Sequence, residues 1–350
     1  MKITNTISIK SSLSVSEYFD YRAPRYNNAI QQLPLARSLD MLPYCYIINL
    51  LKQSNLNILD AFCGTGFISN SLESLNANFI LADISEGMMS GTNGNVRKIV
   101  ATNNFENIKQ TFGGSYFDIV LSHGGFHHAI ELSGDKVNIQ ESYNKHKEII
   151  QNLSSLVNKD GYLIIADIST KNVPEFTNPN YPLKESLSSF KHIIGDEMIN
   201  FIADCLKVDP NVPISLNEIN ELIYSKAFKK EPFPVPKHFF NQYIAHYTKH
   251  GHKACYPDFE LIDSWIMNSS SFEKVTRVFF HSPWIFDSIN QAGWFFKEKF
   301  SLFEKSELSE DKQSEKRVYD LLEKYLGVTK INEKIFVNWG VTYSIYKKTY

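Results

Sequence analysis

Residues Leu59-Asp60-Ala61-Phe62-Cys63-Gly64-Thr65-Gly66 decide how this chain folds. The apolar run Leu56 to Leu59 leads into them, and Phe67, Ile68, Leu72 and Leu75 follow at roughly helical spacing. The pattern is strand, tight glycine turn, helix. Gly64 and Gly66 let backbone approach a flat ligand where a Cβ would collide. Asp60 stands just before the turn. A carboxylate at a strand's carboxyl end accepts hydrogen bonds from an amine or a hydroxyl and repels phosphate. The loop therefore reads as a seat for a nucleoside bearing a cationic group rather than for a pyrophosphate.

Working outward, further strands are expected at 78–83, 99–101, 117–122 and 162–168. A helix starts at 85–91, and a longer one at 139–157 carries Tyr143, Ile149, Ile150, Leu153, Leu156 and Val157 on one broad face. Upstream, 33–53 reads as a helix that Pro43 kinks or splits. Strands alternating with helices imply a parallel, doubly wound sheet with right-handed crossovers. Such sheets bind ligands beyond the strands' carboxyl ends, where Asp60, Asp83 and Ser122 fall. From Pro174 the alternation stops and a proline-punctuated, mainly helical region follows. Within it Ser215-Leu216-Asn217-Glu218 fits a capping box opening a helix at 216–227. Further helices are expected at 196–206, 238–248 and 258–267. Residues 294–303 and 334–347 read as strands around a charged helix at 311–326.

The opening stretch resembles the first motif of class I S-adenosylmethionine-dependent methyltransferases. The resemblance continues through Phe79-Ile80-Leu81-Ala82-Asp83-Ile84-Ser85-Glu86-Gly87-Met88-Met89, Phe117-Asp118-Ile119-Val120-Leu121-Ser122 and Asp160-Gly161-Tyr162-Leu163-Ile164-Ile165-Ala166-Asp167. It covers roughly residues 15 to 170, and four motifs in order are far more specific than any one. It implies an α/β fold: a mostly parallel seven-stranded Rossmann-like sheet with an inserted helical cap. The arm would be 1–55, the core 56–173 and 291–350, and the cap 174–290, with 294–303 and 334–347 as the antiparallel last pair of strands.

The resemblance implies S-adenosyl-L-methionine as cofactor, with Asp60 near its methionine amino group and Gly64 and Gly66 beneath it. Asp83 is suited to accept both ribose hydroxyls, with helix capping as the plainer role. Ile84 and Met88 would wall the adenine, or simply pack the core. Where the family commonly has an acid reading the adenine amino group, this chain offers Asn103, whose amide oxygen also accepts. Phe62 stands where the family often has its first glycine. Tyr18 and Tyr26 are candidates for a lid over the cofactor. Ser122 and His123 would lie beside the donor. His127 or His128 is a candidate general base, since imidazole titrates near neutrality. His281-Ser282-Pro283-Trp284 and Trp294-Phe295-Phe296 could line an acceptor pocket, or be core.

The chain has 350 residues, 38 acidic and 36 basic, so no basic surplus points to nucleic acid and no polybasic run to a membrane. No apolar run approaches the roughly 18 residues of a membrane helix, and the first residues lack a signal core. Cys45, Cys63, Cys205 and Cys255 are scattered and lack metal spacing, which fits free thiols in a cytoplasm. His246, His250 and His252 have no nearby acidic partner in sequence, so no metal site is expected. The expectation is methyl transfer to a small-molecule acceptor, with nothing to fix oligomeric state. Three alternatives stay open. Relatives that cyclise or lyse the same donor, or transfer its aminocarboxypropyl arm, would carry the same binding motifs. Gly64-x-Gly66-x-x-Ser69 mimics a nicotinamide-dinucleotide fingerprint, although Asp60 and Phe62 oppose a pyrophosphate. A noncatalytic binding protein would keep the donor site and block the acceptor pocket.

Overall fold

The computed structural model describes residues 14–350 except 53–54, 73, 93–95, 103, 114–115, 135, 169–182, 228–238, 240–243, 245–252, 269–270 and 303–314. In chain order the strands are β1 (Leu56–Ala61), β2 (Ala77–Asp83), β3 (Arg97–Val100), β4 (Phe117–His123), β5 (Leu132–Ser133), β6 (Lys136–Val137) and β7 (Val157–Asp167). They continue with β8 (Phe272–His281), β9 (Trp284–Phe286), β10 (Val328–Ile331), β11 (Lys334–Val337) and β12 (Gly340–Lys348).

Seven of these form one sheet in the order β3-β2-β1-β4-β7-β12-β8. The pairs from β3 to β7 are parallel, and β12 runs antiparallel to both β7 and β8. Side chains alternate across the pleat. Ile58, Ile119, Leu121 and Ile164 enter one buried layer, and Leu59, Val120, Leu163 and Ile165 enter the layer on the opposite face. Helices therefore cover both faces, and the strands read as near-continuous apolar runs. In register, Asp60 lies opposite Leu81 and Leu121, and Ala61 opposite Ser122. The carboxyl ends of β1, β2 and β4 thus finish side by side, and the strand order reverses between β1 and β4.

The first five sheet strands lie where the sequence puts them, within a few residues. Residues 33–53 resolve into a 3₁₀ segment, Pro34–Met41, and an α-helix, Leu42–Leu51, with Pro43 in its first turn, where its missing N–H costs no bond. The capping box holds: Ser215 Oγ accepts from Glu218 N at 3.1 Å and Glu218 Oε2 accepts from Ser215 N at 2.8 Å. The expected helix at 238–248 falls mostly outside the described residues.

The expected last pair of strands changes in both members: 334–347 divides into β11, in a three-stranded sheet of order β10-β11-β9, and β12. Residues 294–302 do not form a strand; Ile289–Lys299 is a helix, capped by Ser288, whose Oγ accepts from Gln291 N. Trp294-Phe295-Phe296 looks strand-like because aromatic rings favour burial, a preference packing can satisfy in either conformation. Here Phe295 and Phe296 pack on Trp284 with ring centroids 5.5 and 5.2 Å away. The partner of β12 is instead β8, from the segment expected to be a mainly helical cap.

Candidate functional site

The carboxyl ends of β1, β2 and β4 open into a cleft of about 1270 Å³ including its mouth. Asp60, Phe62, Gly64, Asp83, Ile84, Met88, His123, His127 and His128 line it, together with Tyr26 of the N-terminal helix Val15–Gln32. These candidates, scattered through the sequence, converge on one cavity. Ser122 is fully buried and, like Gly66, is not part of the lining. Tyr18 also stays out of the lining; its hydroxyl accepts from Arg22 Nη1 at 2.9 Å and Phe19 faces the cleft instead. Asn103 lies outside the described residues, as do His246, His250 and His252.

The glycine turn explains itself locally. Gly64 and Gly66 have φ +52° and +70°, a region that strains any residue with a Cβ. A Cβ on Gly66 would also lie 2.4 Å from Thr92 Cγ2. Phe62 adopts φ +60° despite its side chain, so the position really does have the conformation that glycine favours. The cost, about 1–2 kcal/mol, is offset by ring packing on Phe105 at 4.4 Å and Phe126 at 6.1 Å.

Two acids dominate the electrostatics of this wall. Asp83 Oδ2 accepts from Gly64 N at 2.8 Å and Oδ1 from Ser85 N at 2.9 Å, so it braces the turn from the neighbouring strand. Burial pushes Asp83 up to about 6 against those hydrogen bonds. Asp60 has an Oδ2 buried without a hydrogen-bond partner. Burial, and then the charge of Asp83, push it up to about 8. The pair is an anionic seat that holds a proton while no cation faces it.

Across the cleft the loop after β4 carries the histidines. His127 Nδ1 lies 2.6 Å from Asp167 Oδ1, and Asp167 Oδ2 accepts from His127 N at 2.9 Å. Asp167 ends β7 as Asp60 and Asp83 end their strands. Burial raises its pKa, but the His127 imidazole and the hydrogen bonds to it prevail and hold it below the ordinary carboxylate range. An ionised Asp167 fixes the Nδ1–H tautomer, leaving Nε2 as the basic nitrogen. The His127 ring stacks on Tyr256 at 5.0 Å. His128 Nδ1 donates to Lys253 O at 3.1 Å, and its ring meets Phe19 edge-on at 4.8 Å.

His123 is a network residue. Its Nε2 accepts from Arg37 Nη2 at 2.8 Å and its Nδ1 contacts Tyr44 Oη at 2.9 Å. Burial, chiefly, holds its pKa below the ordinary value, so it is a neutral ring at pH 7. Arg37 in turn pairs with buried Asp40 at 2.8 Å.

Sequence reading missed Asp167 as a site residue and, in the lining of the cleft, Arg22, Arg37, Lys299 and Trp339. Asp167 was findable, being an acid at the end of a parallel strand. The cations gave no joint signal, because each lies in a different segment and Lys299 is far in sequence from Arg22 and Arg37. Of the aromatic runs, Trp284 lines the cleft, whereas His281, Trp294, Phe295 and Phe296 do not. His281 N and Nδ1 both meet Asn220 Oδ1, at 2.7 and 2.9 Å. Among the described residues, no group of three or more His, Cys, Asp or Glu could hold a metal ion, and no helix is long and apolar enough to cross a membrane.

A doubly wound, mostly parallel seven-stranded sheet with β12 antiparallel beside β7 is the architecture of Rossmann-like methyltransferases. Residues 52–204 match a family model described as a methyltransferase domain. None of the curated proteins matches the chain in sequence. Among solved structures, a SAM-dependent methyltransferase from Anabaena variabilis aligns at 12% identity over 97% of this chain and 98% of its own, with TM-score 0.44. The cyclase SpnF aligns at 10% identity over 97% and 96%, with TM-score 0.47. The cyclopropane synthase MmaA2 from Mycobacterium tuberculosis aligns at 13% identity over 85% and 79%, with TM-score 0.39.

Proposed function

We propose that this protein binds S-adenosylmethionine in the cleft and transfers its methyl group to a small-molecule acceptor. The observation that carries the reading is the juxtaposition, in one cavity, of the Asp60–Asp83 seat with the His127–Asp167 pair. The residues fit the donor. The orphaned Asp60 Oδ2 asks for a donor group or a cation, Gly64 leaves room for close approach, and Asp83 keeps acceptor capacity beyond its two backbone bonds. Asp60 would hold the methionine amino group, Asp83 the ribose hydroxyls, and Ile84 and Met88 the adenine faces.

When bound, the sulfonium supplies an electrophilic methyl, open to in-line displacement. The chain's own work is orientation, exclusion of water and proton removal. The N-terminal helix closes one side of the cleft through Phe19 and Tyr26. It is latched there: Arg25 pairs with Glu298 at 2.9 Å, and Arg22 donates to Lys299 O at 2.8 Å. His127 Nε2 takes the proton of an acceptor hydroxyl or acidic carbon, and ionised Asp167 stabilises the imidazolium that results.

Calorimetric titration with S-adenosylmethionine, S-adenosylhomocysteine and NAD, followed by mass analysis of the incubated donor, tests this. Binding of the first two, with the donor stable until an acceptor is added, is the expected result. Binding of NAD alone would overturn the donor assignment. Conversion of the donor alone to methylthioadenosine would replace methyl transfer with lysis or cyclisation.

A further inference from the structure

On the side of the cleft formed by Tyr26, Trp284 and Phe300, three cations are buried together. Arg22, Lys299 and Arg37 are only 3%, 4% and 8% exposed. The Lys299 ammonium donates to Tyr26 Oη and stands 5.2 Å from the Trp284 ring centroid, and the Arg37 guanidinium stands 5.5 Å from the same ring. The Arg22 guanidinium lies 5.8 Å from the Phe300 centroid, as does Lys299 Nζ.

Buried cations are ordinarily paired, because an unpaired one costs several kcal/mol. Here one carboxylate serves the group: Asp40, already held by Arg37 at 2.8 Å. Among the described residues no carboxylate lies in ion-pair reach of Arg22 or Lys299. Two further donors, Arg22 Nε and Trp284 Nε1, are buried with no hydrogen-bond partner. Burial, and then the charges of Arg37 and Arg22, hold Lys299 well below the ordinary lysine range, as expected of a cation cluster short of anions. Donors and positive charge outnumber the acceptors that the described residues supply, and flat aromatic walls surround them.

We propose that this wall is a carboxylate subsite for the acceptor, which is a flat, largely apolar molecule anchored by an anionic group between Arg22 and Lys299. Arg37 adds field but is committed to Asp40 and His123. The anchor orients the acceptor so that its reacting atom faces the donor, and selects against neutral analogues, which would leave the buried donors unsatisfied. This deepens, and rests on, the methyltransferase reading.

The test uses the full chain saturated with S-adenosylhomocysteine, titrated with 2-naphthoate and with 2-naphthamide. Naphthoate is expected to bind about ten- to hundredfold more tightly, the ratio that one or two charge-assisted hydrogen bonds provide. Arg22→Gln and Lys299→Met should each abolish the preference, and Lys299→Arg should keep it, with thermal melts confirming that each variant folds. Donor carboxylate is the competing source, so the ratio of S-adenosylhomocysteine to methylthioadenosine affinity is measured in the same variants and should stay within about threefold. Equal binding of naphthoate and naphthamide would overturn the proposal. So would a preference that survives both charge-removing variants, or a fall in that ratio, which would give the subsite to the donor. If the wild type bound no S-adenosylhomocysteine, the methyltransferase reading would fail, and the naphthoate preference would still be read on the protein alone.

Discussion

Asp60→Asn probes the centre of the proposed donor seat, because Asp60 is where burial and a second carboxylate act together. With its pKa pushed up to about 8, Asp60 is roughly nine-tenths protonated at pH 7 in the free protein. Asp83, at about 6, is roughly one-tenth protonated at that pH. A bound sulfonium and ammonium would favour both carboxylates ionised. Donor binding at pH 7 should then release about one proton, falling toward about 0.1 at pH 9. Affinity should weaken by up to about tenfold per pH unit as pH falls from 8 to 7, and more steeply toward 6, where Asp83 also takes up a proton. The stability of the free protein carries the opposite sign. An acid raised in the folded state takes up a proton there that the unfolded chain has lost, so stability falls as pH rises from about 4 to about 8. At pH 7 this penalty is on the order of 4 kcal/mol at most, since one pKa unit is about 1.4 kcal/mol. Asp60→Asn should therefore raise the melting temperature of the free protein at pH 8, nearly abolish proton release, and weaken S-adenosylmethionine at least about tenfold. The assay is calorimetry in buffers of different ionisation enthalpy, with melts from pH 5 to 9. Unchanged proton release and affinity in a folded Asp60→Asn variant would refute the reasoning.

Other perturbations test the remaining parts. Asp167→Asn should lower turnover about 10²–10⁴-fold with donor affinity nearly unchanged, and full turnover in the steady state would remove the His127 base. Asp83→Ala takes the acceptor from Gly64 N and Ser85 N, and should cost about 1–3 kcal/mol of donor affinity by calorimetry. Gly66→Ala combines φ +70° with a Cβ 2.4 Å from Thr92 Cγ2, and should cost about 1–3 kcal/mol in denaturant unfolding. Asp40→Asn strands buried Arg37, with an expected loss of about 3–5 kcal/mol at pH 7. Burial raises Asp40, but Arg37 and His123 prevail and hold it at about 2, so its contribution is present above about pH 4 and fades as pH falls toward 2. A wild type and variant that still differed equally at pH 2 would contradict that assignment.

What the sequence determined by itself was local. Strands β1 to β4, the core of β7, the glycine turn and the terminal acids Asp60 and Asp83 were legible because each is encoded within about ten neighbouring residues. A parallel strand buried on both faces is an apolar run, and its end is marked by the first polar residue after it. The φ > 0 of Phe62 gives physical content to the glycine that the family often carries there. Tertiary structure decided what depends on packing partners far along the chain. Trp294-Phe295-Phe296 became helix because Trp284 offers a buried ring surface, and β8 joined the sheet because β12 presents it an edge. Asp167 found His127 only when β4 and β7 came side by side. Arg22, Arg37 and Lys299 lie in three segments, each with an ordinary share of charge, so nothing in the linear sequence marks a cation cluster. Only the fold brings the three side chains together, removes them from water and leaves two of them without a carboxylate among the described residues, because burial and pairing belong to neighbours in space rather than in sequence.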